Sequence, residues 1–269
     1  MTTPIYIKPR SADEAAAALR EHPEAALVGG GAYLRLGGRR PPVLIDLFEA
    51  GLDGIAREGD TVALGAMATF RQVETSPLLA ELADGLLPRS VRNIGGVQMR
   101  NIVTVGGTVA GRYGFANLLT ALLALDAAVE FHPGERVPLA DYLAAPPRRG
   151  RLLTRVLVPA AARRGAWHDL TLVRADFAVL NVAAVRGEGY ARIAVGARPA
   201  VAMVAAEASA CLAGTPDGIA GDDLAELAAA CGEAAAAELE FGDDLRGGAD
   251  YRRLLCRELT ARAVREVLS

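Results

Sequence analysis

The sequence predicts an α+β fold in two successive parts, and three observations predict it. Short β-forming segments alternate with helical ones over the first 160 residues. Beyond residue 165, three consecutive strand patterns are followed by three helical ones. The length of 269 residues allows each part to bury a core of its own.

Local signals place the elements. Ser11, Ala12, Asp13 and Glu14 form a capping-box pattern that opens a helix through about residue 20. Residues 25–28 read as a short buried strand running into Gly29, Gly30 and Gly31. Residues 42–46 and 61–65 are two further strands, the second preceded by the turn Glu58-Gly59-Asp60. Thr69 and Gln72 repeat the capping box, and Ser76-Pro77 starts another helix with proline at its first position. The Leu- and Ala-rich stretch 118–126 reads as a buried helix, followed by a strand at 128–131. A strand at 152–158 lies between two segments rich in Pro, Arg and Gly, and the domain boundary is placed there, dividing residues 1–160 from 161–269. Strands are predicted at 167–174, 179–186 and 190–196, the last two joined as a hairpin by Gly187-Glu188-Gly189. Helices over 204–212, 223–239 and 250–268 complete the chain.

Composition excludes several classes. Hydrophobic residues make up 52% and charged residues 23%, an ordinary soluble balance. The net charge of −3 offers no field for nucleic acid. Lys8 is the sole lysine, and the Arg and Ala richness is the imprint of a GC-rich genome, so the arginine count is no functional signal. The N-terminus MTTPIYIKPR lacks the apolar core of a signal peptide. The apolar run at 118–129 is broken by Thr120 and Asp126 and falls short of the ~20 residues that span a bilayer. A cytoplasmic location is expected. Cys211, Cys231 and Cys256 match no metal or redox spacing, so no iron–sulfur cluster or structural zinc is expected in this chain. His22, His132 and His168 have no partners at ligand spacing. There is no Gly-x-Ser-x-Gly elbow, no Walker A lysine and no G-x-G-x-x-G fingerprint, which argues against a Rossmann fold.

Two glycine-rich stretches remain. One is Gly29 to Gly31; the other joins Gly95-Gly96 to Gly106-Gly107 through Gln98, Arg100, Asn101 and Thr104. Glycine is kept where backbone approaches something closely or takes positive φ. Main-chain amides in such loops make concave anion sites. Two of them after apolar segments point to one extended anionic ligand, such as a dinucleotide.

The run Ile94-Gly-Gly-Val-Gln-Met-Arg-Asn-Ile-Val-Thr-Val-Gly-Gly-Thr-Val-Ala110 resembles the signature of the FAD-binding subunits and domains of molybdenum hydroxylases, such as the medium subunit of carbon monoxide dehydrogenase and the flavin domain of xanthine dehydrogenase. The match rests on Gln98, Arg100, Asn101, Thr104, Gly106 and Gly107. Four further segments resemble that family in the same order: Leu27 to Leu34, Arg174 with Asp176-Phe177-Ala178, Arg192 to Ala197, and Asp244 to Arg253. The resemblance implies a two-subdomain α+β flavin domain of the vanillyl-alcohol-oxidase (PCMH) type, followed by a smaller α+β C-terminal domain. It implies FAD as cofactor, held by Leu27, Val28, Gly29, Gly30, Gly31, Ala32, Tyr33, Leu34, Ile94, Thr104, Val105, Gly106, Gly107, Thr108, Asn117 and Asp176. Within that set, residues 29–31 and 104–108 would meet the pyrophosphate and Ile94 the ring. On this placement Gly106→Val is expected to abolish flavin retention.

The resemblance also implies partners: an iron–sulfur (2Fe-2S) small subunit and a molybdopterin-containing large subunit. FAD would carry electrons from the former to NAD, oxygen or a quinone. No catalytic acid or base is implied, because the redox chemistry belongs to the cofactor. The chain departs from the family at Ala32 and Tyr33, where a hydroxyl, histidine or carboxylate is usual. It departs again at Arg112 to Asn117, where Gly114 replaces a proline and Asn117 a flavin-binding aspartate. Arg112, Tyr113 and Phe115 would then stand beside the flavin edge, stacking on it or filling its space. These departures leave open a member that has lost flavin and serves as a structural subunit; a free-standing flavin oxidase or reductase is a third reading, ranked last because the family does not usually work alone and no substrate acid–base set is evident.

Overall fold

The structure is a computed structural model, and it describes residues 4–34, 40–161, 163–216 and 218–269. Strand β1 (Ile5–Ile7), helix α1 (Ala12–Glu21), strand β2 (Ala26–Val28) and strand β3 (Val43–Asp46) build a small parallel sheet in the order β1-β3-β2. The α1 cap forms as its sequence dictates, since Ser11 Oγ accepts from the Glu14 amide. The Glu14 carboxylate accepts from the amide of Arg10 rather than that of Ser11, so the box closes one residue early. Ala15, Ala16 and Leu19 bury against Ile45 and Leu47, and β2 delivers the chain into the first glycine loop.

The second sheet contains β4 (Ile55–Glu58), β5 (Thr61–Gly65), β6 (Ala128–Phe131), β7 (Glu135–Pro138) and β8 (Leu153–Pro159), ordered β4-β5-β8-β6-β7 with antiparallel pairs throughout. The edge strands β4 and β7 escaped sequence reading because they are short, mostly exposed and carry charges, the usual protection of an open edge. Between β5 and β6 lie α2 (Phe70–Thr75), α3 (Pro77–Ala80), α4 (Leu86–Val91), α5 (Val97–Arg100), α6 (Val105–Gly111) and α7 (Asn117–Ala124); α8 (Leu139–Ala144) follows β7. The capping box of α2 is complete in both directions. Short α5 and α6 occupy the stretch that reads as glycine loops in the sequence. All eight residues of α7 are buried, as expected of a helix that is apolar all round.

The third sheet explains that burial. Strands β9 (Arg163–Thr171), β10 (Ala178–Gly187), β11 (Tyr190–Gly196) and β12 (Met203–Ala205) run in the order β12-β11-β10-β9. On one face Ala183, Val185 and Ala194 join the core that contains α7. On the other, Leu180, Val182, Ala184, Ile193 and Val195 meet α9 (Ala206–Ala213), α10 (Gly221–Glu238) and α11 (Ala249–Leu268). A strand covered on both faces reads as a continuous apolar run, which is what β10 shows. The boundary expected near residue 160 falls where the chain enters this shared sheet. Strand β9 starts four residues before the expected 167 and ends at Thr171, so Leu172 to Phe177 form a connection instead of strand. That connection carries Asp176 and Phe177, and Ala175 within it has φ of 66°.

A buried cation anchors α11. Arg252 is fully buried and donates through Nε to the Val179 carbonyl (2.9 Å), through Nη1 to the carbonyls of Gly242 and Gly247, and through Nη2 to Asp244 Oδ1 (2.5 Å). A buried charge is tolerated only when paired and hydrogen-bonded in this way. Partial burial alone would raise the Asp244 carboxyl, but the bond from Arg252 and the Arg246 amide outweigh it and hold it below its ordinary value. A depressed carboxyl contributes stability above its unfolded pKa of about 3.9 and loses it as pH falls through the folded value. The stability gap between wild type and Asp244→Asn should therefore be widest at neutral pH and close below about pH 4. Urea unfolding at a series of pH values checks this; a gap that stays constant down to pH 3 would contradict it.

Candidate cofactor site

Two adjoining clefts lie where β2, α6 and α7 converge. The first, of about 250 Å³, is lined by Leu27, Val28, Gly29, Gly30, Gly31, Ala32, Tyr33 and Leu34 on one side and by Ile102 to Thr104, Gly107 and Thr108 on the other. Its walls interlock. A Cβ on Gly30 would sit 1.4 Å from the Ile102 carbonyl oxygen, and one on Gly29 would sit 2.6 Å from Thr104 Oγ1. Only bare backbone lets the two loops come this close. Gly31, at φ 72°, then turns the chain through the left-handed region.

The amides sort the two walls by function. On α6, Val105 donates to the Ala68 carbonyl, Gly106 to that of Ala66, Gly107 to Thr104 Oγ1 and Thr108 to the Thr104 carbonyl. That wall is internally satisfied. Among the described residues, the amides of Gly29, Gly30, Gly31 and Ala32 find no acceptor. Consecutive free amides in a tight loop form an anion-binding concavity. The amides without an acceptor among the described residues thus belong to the first loop, and residues 104–108 contribute shape and the hydroxyls of Thr104 and Thr108.

The second cleft, of about 200 Å³, shares Tyr33, Val103, Thr108 and Tyr113 with the first and adds Phe70, Ile94, Gly95, Met99, Phe115, Ala116, Asn117, Ala175, Asp176 and Phe177. Aromatic rings dominate it. Tyr113 and Phe115 stack at 5.1 Å between centroids with 11° between planes, and Tyr33 leans on both, at 5.1 and 5.4 Å. Phe177 meets Phe115 at 4.3 Å, and the Arg246 guanidinium lies 4.9 Å from the Phe177 ring centroid. Burial, with Tyr113 beside it, raises the Tyr33 phenol, so it stays protonated at neutral pH. Asp176 accepts from the Phe177 amide (2.7 Å), with Arg246 Nε 3.9 Å away.

Ile94 reaches this pocket because Arg100 holds its loop. The Arg100 guanidinium, only 7% exposed, donates to the carbonyls of Ile94 (3.2 Å) and Gly95 (2.9 Å) and to Glu74 (2.9 Å). Burial alone would raise the Glu74 carboxyl, but the bonds from Arg71 and Arg100 hold it below its ordinary value. The arginine of the signature is a clamp.

The structure places residues 27–34, Thr104, Gly107 and Thr108 on the first cleft and Ile94, Asn117 and Asp176 on the second. It does not bring Val105 or Gly106 to either. Val105 is fully buried in the core, and a Cβ on Gly106 would sit 2.6 Å from Ala66 Cβ. Gly106 presses on the chain after β5, and with Gly29, Thr104 and Gly107 it lines a neighbouring cleft, so Gly106→Val would also disturb packing against Ala66. Arg112 also turns away: it donates to the Ala145 carbonyl and stacks over Tyr142. Phe70, Met99 and Val103 were missed. For Val103 the signal was present in Ile102-Val103, an apolar pair directly after Arg100 and Asn101.

Residues 1–161 match the family described as FAD binding domain in molybdopterin dehydrogenase, and residues 171–267 match the CO dehydrogenase flavoprotein C-terminal domain. The chain belongs to this FAD-binding family. It is 30% identical to the carbon monoxide dehydrogenase medium chain of Hydrogenophaga pseudoflava, over 96% of this chain and 95% of that one. It is 29% identical to the nicotine 6-hydroxylase medium subunit of Paenarthrobacter nicotinovorans, over 97% and 96%. Among solved structures, the carbon monoxide dehydrogenase of H. pseudoflava superposes with TM-score 0.88 at 28% identity, covering 99% of this chain and 97% of that one. Quinoline 2-oxidoreductase from Pseudomonas putida 86 gives 0.87 at 26%, with the same coverage. The flavoprotein is thus an oxidoreductase of the molybdenum hydroxylase family with FAD as cofactor. Among its described residues, no helix is long and apolar enough to cross a membrane, and no group of three His, Cys, Asp or Glu side chains could hold a metal ion.

The residues fit FAD: free amides suit a pyrophosphate, and an apolar aromatic pocket suits a flat ring. Gly30→Ala must force the loops apart and should weaken FAD binding by at least about tenfold, or 1.4 kcal/mol. Gly31→Ala, whose Cβ meets only Val28 at 3.8 Å, should cost about 1–2 kcal/mol of folding stability while retaining FAD. Flavin titration and thermal melts of the two variants check this contrast. Equal FAD affinity in Gly30→Ala and wild type would contradict the interlock.

Proposed function

We propose that this chain holds FAD with its pyrophosphate on the Gly29 to Ala32 amides and its ring in the aromatic pocket, and that it passes electrons from a partner's iron–sulfur clusters to a terminal acceptor. When bound, FAD supplies the electron-accepting and electron-donating chemistry. The chain supplies position, exclusion of water and electrostatics. The observation that carries this reading is a ring pocket without an acid–base set. Its ionisable groups are two phenols, Tyr33 and Tyr113, and Asp176, which is bonded to its neighbour's amide. Among its described lining residues there is no histidine, no lysine and no second carboxylate to pair with Asp176, which supports electron transfer through the ring over proton abstraction from a substrate.

The pocket's surroundings support partnership. Met99 lines it and is itself exposed, as are Val97 and Ile102 beside it in the chain. Leu172 and Val173, which lead into Ala175, are exposed by 57% and 64%. Clustered exposed apolar side chains mark interaction surfaces. The relatives named above are medium chains or subunits, and another is a subunit of the 6-hydroxypseudooxynicotine dehydrogenase complex. By that analogy the partners are a [2Fe-2S] small subunit and a molybdopterin-containing large subunit, and the acceptor is NAD, oxygen or a quinone.

The test is rapid mixing of the FAD-loaded protein with a reduced [2Fe-2S] subunit, without oxygen. Flavin absorbance should bleach, and its return on adding NAD, oxygen or a quinone identifies the acceptor. Leu172→Glu with Val173→Glu should slow bleaching by about tenfold or more at unchanged FAD content, as expected for charges placed in an apolar interface. A folded protein that takes up no FAD would favour the structural-subunit reading. Bound flavin that a small organic substrate reduces directly, and the iron–sulfur subunit does not, would favour a free-standing oxidase.

A further inference from the structure

Three polar side chains form a closed line inside the apolar core. Thr120 Oγ1 on α7 donates to Asn181 Oδ1 on β10 at 2.7 Å, and Asn181 Nδ2 donates to Asn117 Oδ1 at 2.8 Å. Thr120 and Asn181 are fully buried, and Asn117 is 5% exposed and lines the ring pocket. The line is built in tightly: a Cβ on Gly196 would sit 2.1 Å from Thr120 Oγ1 and 2.6 Å from Asn181 Oδ1. Buried polar groups are costly unless paired, and a paired line at this depth fixes the side chains in it.

Its direction follows from inventory. A hydroxyl has one proton to give, and an amide has distinct donor and acceptor ends. With the threonine proton on Asn181 Oδ1, the Asn181 amide must give its proton to Asn117 Oδ1. The Asn117 oxygen is thereby turned toward Asn181, which puts its amide nitrogen on the opposite side. No partner for its Nδ2 is found among the described residues, and Nδ2 is the polar atom left for the pocket.

We infer that Asn117 sets the polarity of the ring pocket: held by Thr120 and Asn181, its amide donates to an acceptor atom on the edge of the bound flavin ring. This rests on the ring lying in the aromatic pocket, as proposed above. A neutral donor fixed there favours the ring when it carries added electrons, because preorganised dipoles aimed at developing charge stabilise it. A carboxylate at the same place does the reverse. Asn117 is the contacting group, and Thr120 and Asn181 are positioning residues.

The experiment measures the midpoint potential of bound FAD by spectroelectrochemistry at pH 8, with FAD affinity and flavin emission, in wild type, Asn117→Asp, Thr120→Val and Thr120→Ser. Asn117→Asp preserves shape and the acceptor for Asn181. It should shift the ratio of reduced to oxidised FAD affinity at least tenfold toward the oxidised form, about 30 mV lower for a two-electron couple. Thr120→Val, which does not touch the pocket, should move the potential in the same direction, and Thr120→Ser should restore it. A purely structural relay would change melting temperature and leave the potential alone. Quenched flavin emission with an unmoved potential in Asn117→Asp overturns the role of Asn117 and leaves the ring placement standing. Bound flavin that emits as free FAD does overturns the ring placement, and this inference with it.

Discussion

A backbone contact governs the rest of the site. The first glycine loop lies so close to the turn before α6 that the Gly30 α-carbon faces the Ile102 carbonyl with no room for a methyl group. This contact sets the width of the first cleft, where the amides of Gly29 to Ala32 find no acceptor among the described residues. It also fixes Tyr33, at the end of the same loop, against Tyr113 and Phe115, where the first cleft passes into the second. The two clefts are thereby held in one geometry by parts of the chain about seventy residues apart.

Helix α7 connects that geometry to the core. Its first residue, Asn117, borders the ring pocket, and the other seven are buried between α4, the first core and the shared sheet. Helix and sheet are joined through Thr120 and Asn181, so the polar end of the pocket is set by core contacts rather than by a surface loop. Arg100 performs a similar service for Ile94, and Arg252 pins α11 to the sheet behind it. Arg100 and Arg252 each bind backbone carbonyls and a carboxylate, and Thr120 and Asn181 bond to other side chains, which is what makes their burial tolerable.

Much of the fold was legible because local chemistry and periodicity agreed. Ser11, Thr69 and Ser76 cap helices where their side chains say they should, and the apolar run of α7 admits no exposed face. Strands β4, β7 and β12 were not legible, since short edge strands lack a buried alternating pattern. The site was legible as a place and less so as a mechanism. The glycines marked it, but Gly29, Gly30 and Gly106 are glycine because of neighbouring protein atoms, a fact that no single segment encodes. Arg100 read as a loop polar residue and is a clamp. The meeting of Tyr33, Tyr113, Phe115 and Phe177 depends on tertiary structure. Two signals went unused: Thr120 and Asn181 are lone polar residues within buried apolar runs, and such residues ask for a partner.

Hydrogen exchange of backbone amides with and without FAD, followed residue by residue, tests the central claim most directly. The account predicts strong protection on FAD binding at Gly29, Gly30, Gly31 and Ala32, with little change at Val105 to Thr108, whose amides already have partners. Protection concentrated at Val105 to Thr108, with Gly29 to Ala32 exchanging as before, would contradict it and return the pyrophosphate to the start of α6.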